Sequence, residues 1–188
     1  GDIYFENNKV KFDLFSVKEL DNLHEYRHHK KNNDTSELIL NKHVYNMRFL
    51  GASSNKPIIP SEKRSFYKNY YRGNNDENWA SDVSSYNMIT YESLYNGIDM
   101  NIYSKNNRLK YDFIVAKDAD PDNIIIQYEG VNELMLVEGN LEISLTNGMV
   151  KELNPIAYQI IKGKRIEIEC NFVISSNMVS FDFPNSYN

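Results

Sequence analysis

With 188 residues, of which 41% are hydrophobic, the chain is long enough to bury a sizeable core in one globular unit. A formal net charge of −5 with interspersed signs provides no extended basic field, so we expect no nucleic-acid partner. No apolar run approaches the roughly 18 to 20 residues that cross a bilayer, and we therefore predict no membrane span.

The chain opens with residues that predict a β-hairpin and then a less regular segment. Residues 3–5 and 10–15 predict two strands on either side of the polar residues 6–9. Residues 17–29 predict either a short helix or an irregular excursion. Residues 30–37 are almost wholly polar, which predicts a mobile loop.

The next segment predicts strands rich in aromatic residues. Strand alternation returns over residues 44–50. Pro57 and Pro60 then predict an extended connection, because the residue before a proline is biased away from helix and proline lacks the N–H that a strand would use. Farther on, residues 66–71 and 86–91 predict two strands. Residues 76–80, between them, predict a helical turn.

Residues 95–126 are the part of the chain that decides the fold class. They contain two alternating strands joined by the polar, Asn-rich residues 105–108, which suit a hairpin turn. Turn residues also stand before the pair, at 96–97, and after it, at 120–122. The β-branched residues 124–126 then predict a buried strand, since the run is too short for a helix.

The last third predicts a meander of short antiparallel strands. Short connections of the kind that favours hairpins occur at residues 138–140, 147–148, 162–164 and 175–177. The alternation around Cys170 predicts a buried, structural thiol. The predicted strands are residues 134–137, 141–145, 156–161, 165–174 and 178–183.

Together these elements predict an all-β fold with little helix. Many short strands at this spacing are typical of an antiparallel β-sandwich or a partly closed barrel, and two packed sub-sandwiches are an alternative. We therefore expect one all-β module over residues 1–188, with residues 85–95 as the place for any subdivision.

Several separated motifs carry a resemblance to a known family. The longest, at residues 94–130, reads LYNGIDMNIYSKNNRLKYDFIVAKDADPDNIIIQYEG, and others lie at residues 47–52, 69–74 with Trp79, and 155–159. In this order they resemble the N-terminal domain of large secreted bacterial surface proteins. Those proteins carry SBBP β-propeller repeats or end in gliding-motility or type 9 secretion domains.

The resemblance implies an extracellular or cell-surface module, exported by a signal peptide, whose partners are neighbouring domains of a longer chain. It brings no reaction and no cofactor to this sequence. Asn96 stands where the family usually has proline, which makes that turn less rigid. On these grounds we predict a non-catalytic structural or adhesive role, with surface polysaccharide or another surface protein as a further partner.

The sharpest chemical motif is His24-Glu25-Tyr26-Arg27-His28, which matches the H-E-x-x-H pattern of zinc metalloproteases. On a helix the two imidazoles would share one face and bind Zn²⁺, with the glutamate as general base. The flanking residues, which include His29, are polar and would not anchor a catalytic helix, and His43 is the one histidine elsewhere in the chain for a third ligand. We therefore prefer the interpretation of this segment as a solvent-exposed excursion over that of a zinc-dependent hydrolase site, and we expect no bound metal.

A second weak metal candidate is the acidic string that contains Asp118 and Asp120. Its alternating carboxylates resemble a calcium loop. It lacks the glycine and the distal glutamate of an EF-hand, and Pro121 already explains the segment as a turn. We expect no bound calcium here.

Aromatic and amide side chains crowd the middle of the chain and provide the best candidate for recognition. A mixture of exposed aromatic rings and polar side chains can form a platform on which sugar rings stack. The alternative is that most of these rings fill the core or pack across strands. If the chain is a carbohydrate-binding module, we expect its ligand to contact Trp79, Tyr70, Tyr71, Asn74 and Asp76.

Overall fold

The computed structural model describes residues 1–29 and 41–185. The predicted mobile loop at residues 30–37 lies outside the described residues. The described chain is 62% strand and 8% helix, in several antiparallel sheets of which none closes into a barrel. The prediction of an all-β fold with little helix is confirmed.

Residues 17–29 form an α-helix and not an irregular excursion. In the described part of the chain, no helix is long and apolar enough to span a membrane. Two short 3-10 helices, Asp76–Asn78 and Pro121–Asn123, accompany the regular elements. These are, in chain order, β1 (Asp2–Glu6), β2 (Lys9–Phe15), α1 (Val17–His29), β3 (Lys42–Phe49), β4 (Ile58–Tyr70), β5 (Ala80–Tyr95), β6 (Ile98–Lys105), β7 (Arg108–Val115), β8 (Ile126–Glu129), β9 (Glu133–Val137), β10 (Asn140–Leu145), β11 (Gly148–Glu152), β12 (Ala157–Ile161), β13 (Lys164–Ile168), β14 (Asn171–Ser175) and β15 (Met178–Asp182).

The chain divides into two compact units. The first consists of residues 1–51 and 122–188, and the second consists of residues 52–121. Residues 85–95, where the sequence allowed a subdivision, lie inside β5 of the second unit.

The first unit contains three antiparallel sheets. A six-stranded sheet has the order β1-β2-β3-β8-β15-β14, a three-stranded sheet has the order β11-β10-β9, and β12 pairs with β13. Alternate residues along β3, β8 and β10, and along the first half of β2, are buried, as expected for strands with one packed face. The buried residues of this unit include Val10, Tyr45, Met47, Phe49, Ile126, Tyr128, Leu141, Ile143 and Val179.

Polar side chains add specific links within this core. The hydroxyl of Tyr128 in β8 donates to the carboxylate of Glu152 in β11 at 2.7 Å. Tyr45 stacks on Phe12 with ring centroids 4.6 Å apart, and burial raises the pKa of the Tyr45 hydroxyl. The hydrogen bond to Glu152 keeps the free-energy penalty of desolvating the Tyr128 hydroxyl small.

The second unit is built on a four-stranded sheet of order β4-β5-β6-β7. β6 supplies its buried apolar face through Ile98, Met100 and Ile102. The predicted turn between β6 and β7 is confirmed, since Asn106 and Asn107 have φ values of 54° and 57°. Two consecutive left-handed residues match the twist of a two-residue hairpin.

Of the two prolines predicted to leave an extended connection, Pro57 does lie in the connection that precedes β4, whereas Pro60 does not. Pro60 lies in β4 and faces Ile89 of β5 in the register. β4 is an outer strand of its sheet, where a residue without an N–H is tolerated because its free side needs no ladder partner.

Two strand predictions in the last third also need correction. The strand predicted at residues 165–174 is two strands, since β13 ends at Ile168 and β14 begins at Asn171 in a different sheet. Cys170 is buried, as predicted, although it lies in the break between them. β11 was not predicted, because residues 148–152 show little apolar alternation.

Candidate recognition site

β4 and β5 extend beyond the rest of their sheet as a two-stranded ribbon. Pairing of β5 with β6 begins at Met88, so in the described chain residues 80–87 pair with β4 alone. We call residues 62–87 the arm. Every residue from 62 to 83 is exposed, so both faces of this ribbon meet solvent.

The arm is irregular, and its irregularities have local causes. The register of β4 against β5 shifts between Lys63 and Tyr67, where β4 carries extra residues. A second shift lies near Asp82, whose φ is 57° and whose N–H donates to the Asn69 side chain at 2.9 Å. Bulges of this kind increase the twist of a ribbon and re-aim its side chains.

The tip of the arm is closed by two aromatic rings. Tyr71 and Trp79 meet edge-to-face with ring centroids 5.3 Å apart and an interplanar angle of 89°. The indole N–H of Trp79 donates to the carbonyl of Gly73 at 3.3 Å. Within the loop, the Asn75 side chain accepts the N–H of Glu77 and caps the 3-10 helix. The rings are therefore held in a fixed arrangement while remaining accessible.

The structure brings the five residues predicted as ligand contacts together at this tip. Trp79, Tyr70 and Tyr71 expose 44%, 41% and 63% of their surface, and Asn74 and Asp76 are exposed in the loop between them. For these three rings the alternative reading, in which they fill the core, is wrong. The predicted residues are thus adjacent and open to solvent.

Other aromatic residues of the cluster divide between core and arm. Tyr91 and Tyr95 are buried, as the core alternative predicts. Phe66, Tyr67 and Tyr86 belong to the same aromatic-rich part of the sequence and are exposed on the arm, although they were not among the five predicted ligand contacts. The signal that could have added them is an aromatic strand whose even and odd positions both carry charged residues, a pattern that no single buried face explains.

Small residues opposite the tyrosines help to explain their exposure. In the register of β4 and β5, Tyr67 faces Ser84 and Tyr70 faces Ala80. Directly opposed side chains share one face of a ribbon and cover each other when both are large. Here the opposing side chains are too small to cover a phenol ring, so the rings stay open.

The zinc site suggested by the H-E-x-x-H motif gains no support. His24 and Glu25 are exposed on α1, and the side chain of His28 lies outside the described ones. His43 is buried in β3, with Nε2 2.7 Å from the carbonyl of Gly130 and Nδ1 3.1 Å from the N–H of Thr146. Both ring nitrogens are already used, so His43 has no lone pair for a metal.

The acidic string also provides no cation cage. Asp118 has a φ of 67° and lies in a turn in which the N–H of Ala119 donates to Ala116 at 3.1 Å. Asp118 and Asp120 are both exposed. Among the described residues, no group of three or more His, Cys, Asp or Glu side chains is placed to hold a metal.

Comparison with known proteins places the chain in a family. A family model described as "Domain of unknown function (DUF7948)" matches residues 1–188. No curated protein and no solved structure matches the chain.

Proposed function

The chain belongs to the DUF7948 family, and we propose that it is a non-catalytic extracellular module of a bacterial cell-surface or secreted protein, with a structural or adhesive role. The arm is the observation that carries this proposal. Exposed aromatic rings gathered in one place mark binding surfaces more often than scattered apolar residues do. The rings of Tyr70, Tyr71 and Trp79 lie within ten residues of one another and are all open to solvent.

The arm is suited to recognition through the side chains on its two faces rather than through backbone pairing along its free edge. A free outer strand can pair with a strand of another protein, and natural proteins prevent this with lysines, prolines and bulges. β4 carries all three, in Lys63, Lys68, Pro60 and the register shift after Lys63. Recognition by strand addition is therefore disfavoured, and recognition through side chains is favoured.

Two residues of types that often act as nucleophile and base, Cys170 and His43, have structural roles in the fold. This supports the proposed lack of catalysis. Burial, and secondarily the charge of Asp182, raises the pKa of the Cys170 thiol to about 11, which disfavours a reactive thiolate. His43 has both ring nitrogens engaged by the protein. These residues act in support of the fold.

A carbohydrate-binding module is the second candidate, and the Tyr71–Trp79 pair favours it specifically. Two rings held at a fixed angle at a solvent-exposed tip provide a rigid apolar surface with little conformational entropy left to lose. The exposed amide of Asn74 and carboxylate of Asp76 lie in the same loop and can bond hydroxyl groups.

Binding of the metal-stripped protein to a broad glycan and polysaccharide array tests this second candidate. We expect selective binding that is lost in Trp79→Ala and retained in Tyr4→Ala. Tyr4 is the matched control because it is a similarly exposed aromatic residue, at 46%, in the first unit. Silence of the folded protein, or equal loss in both variants, would remove the carbohydrate candidate.

Protease treatment of intact cells that carry the full-length protein tests the extracellular role. An extracellular module is digested while the cells remain sealed. Protection of the domain until the cells are broken would contradict the proposal.

A further inference from the structure

One strand of the arm carries an uninterrupted cationic and aromatic run. Residues 63–72 contain four Lys or Arg residues, four aromatic residues and no Asp or Glu, in a chain whose net charge is −5. All ten residues are exposed. The members of the run are Lys63, Arg64, Phe66, Tyr67, Lys68, Tyr70, Tyr71 and Arg72.

The cations of this run are not neutralised by the protein. In the described part of the chain, none of these four side chains forms an ion pair. Other surface cations do, such as Lys42, which lies 2.8 Å from Asp13, and Lys9, which lies 3.2 Å from Glu6. The run therefore keeps its four positive charges available for a ligand, although the arm as a whole holds as many carboxylates as cations.

Cations and rings are interleaved in space as well as in sequence. The guanidinium of Arg64 lies 4.9 Å from the centre of the Phe66 ring. Lys63 faces the exposed Tyr86 across the ribbon. Protection of an outer strand from edge pairing needs charges but does not need exposed rings beside them. This combination fits a ligand that has both a negative charge and a surface for stacking.

We propose that the arm binds an anionic polysaccharide, with carboxylate or sulfate groups on the cations and sugar rings on the tyrosines. This inference rests on the proposed function, whose ligand class it specifies. An extended strand rises about 3.3 Å per residue, so residues 63–70, the part of the run that lies in β4, cover on the order of 25 Å, enough for several sugar rings.

The charge around the run favours a polysaccharide over a nucleic acid. Glu62 directly precedes the run, and the acidic residues Asp76, Glu77 and Asp82 follow it in the tip loop and in β5. A phosphate backbone carries charge at high density and would be repelled by these carboxylates. A polysaccharide with about one anionic group per sugar can place its charges on the cations and its hydroxyl groups elsewhere.

Titration calorimetry of the full chain with two polyanions, polygalacturonate and dextran sulfate, and one uncharged polymer, dextran, tests the inference. We expect binding of a polyanion that weakens by about tenfold or more at high salt, and at least tenfold weaker binding of dextran. The two polyanions distinguish carboxylate from sulfate recognition.

The variant that tests the site replaces all four cations of the run with glutamine: Lys63→Gln, Arg64→Gln, Lys68→Gln and Arg72→Gln. Its matched control removes the same charge from exposed positions in the same unit: Lys105→Gln, Arg108→Gln, Lys110→Gln and Lys117→Gln. We expect about tenfold weaker polyanion binding in the first variant and less than about twofold change in the control. Circular dichroism confirms that both are folded.

Three results would overturn the inference. Equal, salt-insensitive binding of dextran and polygalacturonate would show a neutral-sugar site, which removes the anionic ligand but leaves the carbohydrate candidate standing. Failure of the folded protein to bind any polysaccharide would remove both. Tighter binding of a single-stranded DNA oligonucleotide or of anionic phospholipid vesicles than of either polyanion would assign the run to another class of ligand.

Discussion

His43 and Thr146 are 103 residues apart in the chain but are directly hydrogen-bonded. The Thr146 N–H donates to Nδ1 of His43 at 3.1 Å, and the Thr146 hydroxyl lies 2.8 Å from the same nitrogen. On the other side of the ring, Nε2 lies 2.7 Å from the Gly130 carbonyl. Since Nδ1 accepts a hydrogen bond, the proton of the neutral ring is on Nε2, which donates to Gly130. The His43 side chain therefore links β3 through hydrogen bonds to Gly130, which follows β8, and to Thr146, which follows β10.

Replacement of this buried imidazole is expected to destabilise the first unit. We expect His43→Ala to lower the free energy of unfolding by about 1–2 kcal/mol, because it removes buried contacts and two or more hydrogen bonds. Urea denaturation measures the change. His24→Ala is the control, an exposed histidine whose loss is expected to change stability by less than about 0.5 kcal/mol. Equal effects of the two substitutions would contradict this role of His43.

The Arg48–Glu129 pair is expected to make stability depend on pH. Arg48 Nε lies 2.6 Å from Glu129, and this hydrogen bond holds the pKa of the Glu129 carboxyl below its usual range. A lowered folded-state pKa adds stability above the unfolded carboxyl pKa of about 4.3, and this stability is lost as pH falls through the lowered value.

Glu129→Gln removes the titrating group of this pair. We expect the variant to be less stable than the parent by about 1 kcal/mol or less at neutral pH, with the difference shrinking below about pH 4. Thermal melts across pH measure it. Glu133→Gln, at an exposed carboxylate of β9, serves as the control. A difference between Glu129→Gln and the parent that stays constant from neutral to acid pH would contradict the account.

The Cys170 thiol is expected to react slowly in the folded protein. Its burial raises the pKa to about 11, so little thiolate is present at neutral pH. An aromatic disulfide reagent should label native protein slowly and unfolded protein fast. Rapid stoichiometric labelling of native protein would show that Cys170 is accessible after all.

Gly97 is expected to resist substitution because of a close approach as well as its backbone angle. A Cβ atom added there would lie 2.8 Å from the Cβ of Ala119, and φ is +72°. Gly51 has the same φ but no atom within 4 Å of such a Cβ. We expect Gly97→Ala to destabilise by about 1–3 kcal/mol and Gly51→Ala by about 1 kcal/mol. Equal melting temperatures of the two variants would show that the close approach to Ala119 adds no destabilisation, which would contradict this prediction.

Local patterns in the sequence were sufficient to predict several hairpins, such as the one between β6 and β7, but not the one between β10 and β11. The turn at Asn106 and Asn107 follows from residues that tolerate left-handed angles, and the alternation of Tyr45, Met47 and Phe49 follows from a half-buried strand. Both signals are contained in a few neighbouring residues, which is why one sequence reveals them.

Features that depend on position in a sheet were not predictable in this way. Pro60 is compatible with β4 because β4 is an outer strand, and strand order is not visible in local sequence. The break near Cys170 separates strands of different sheets while apolar alternation continues through it.

The candidate site was predicted in part. The five residues at the tip were identified from the mixture of aromatic and amide side chains, but the same mixture also fits a core. The exposure of Tyr67 and Tyr70 follows from their cross-strand neighbours Ser84 and Ala80. These pairings depend on shifts in the register of β4 against β5, which local sequence patterns do not reveal.

Trp79 provides the most direct test of recognition by the arm, because it is the one tryptophan in the chain. We would titrate native protein with polygalacturonate while following selectively excited tryptophan emission. We expect a saturable change in emission that gives the same dissociation constant as calorimetry. We expect the four-cation variant to lose this change. Binding measured by calorimetry with unchanged emission would place the ligand away from Trp79 and contradict the account.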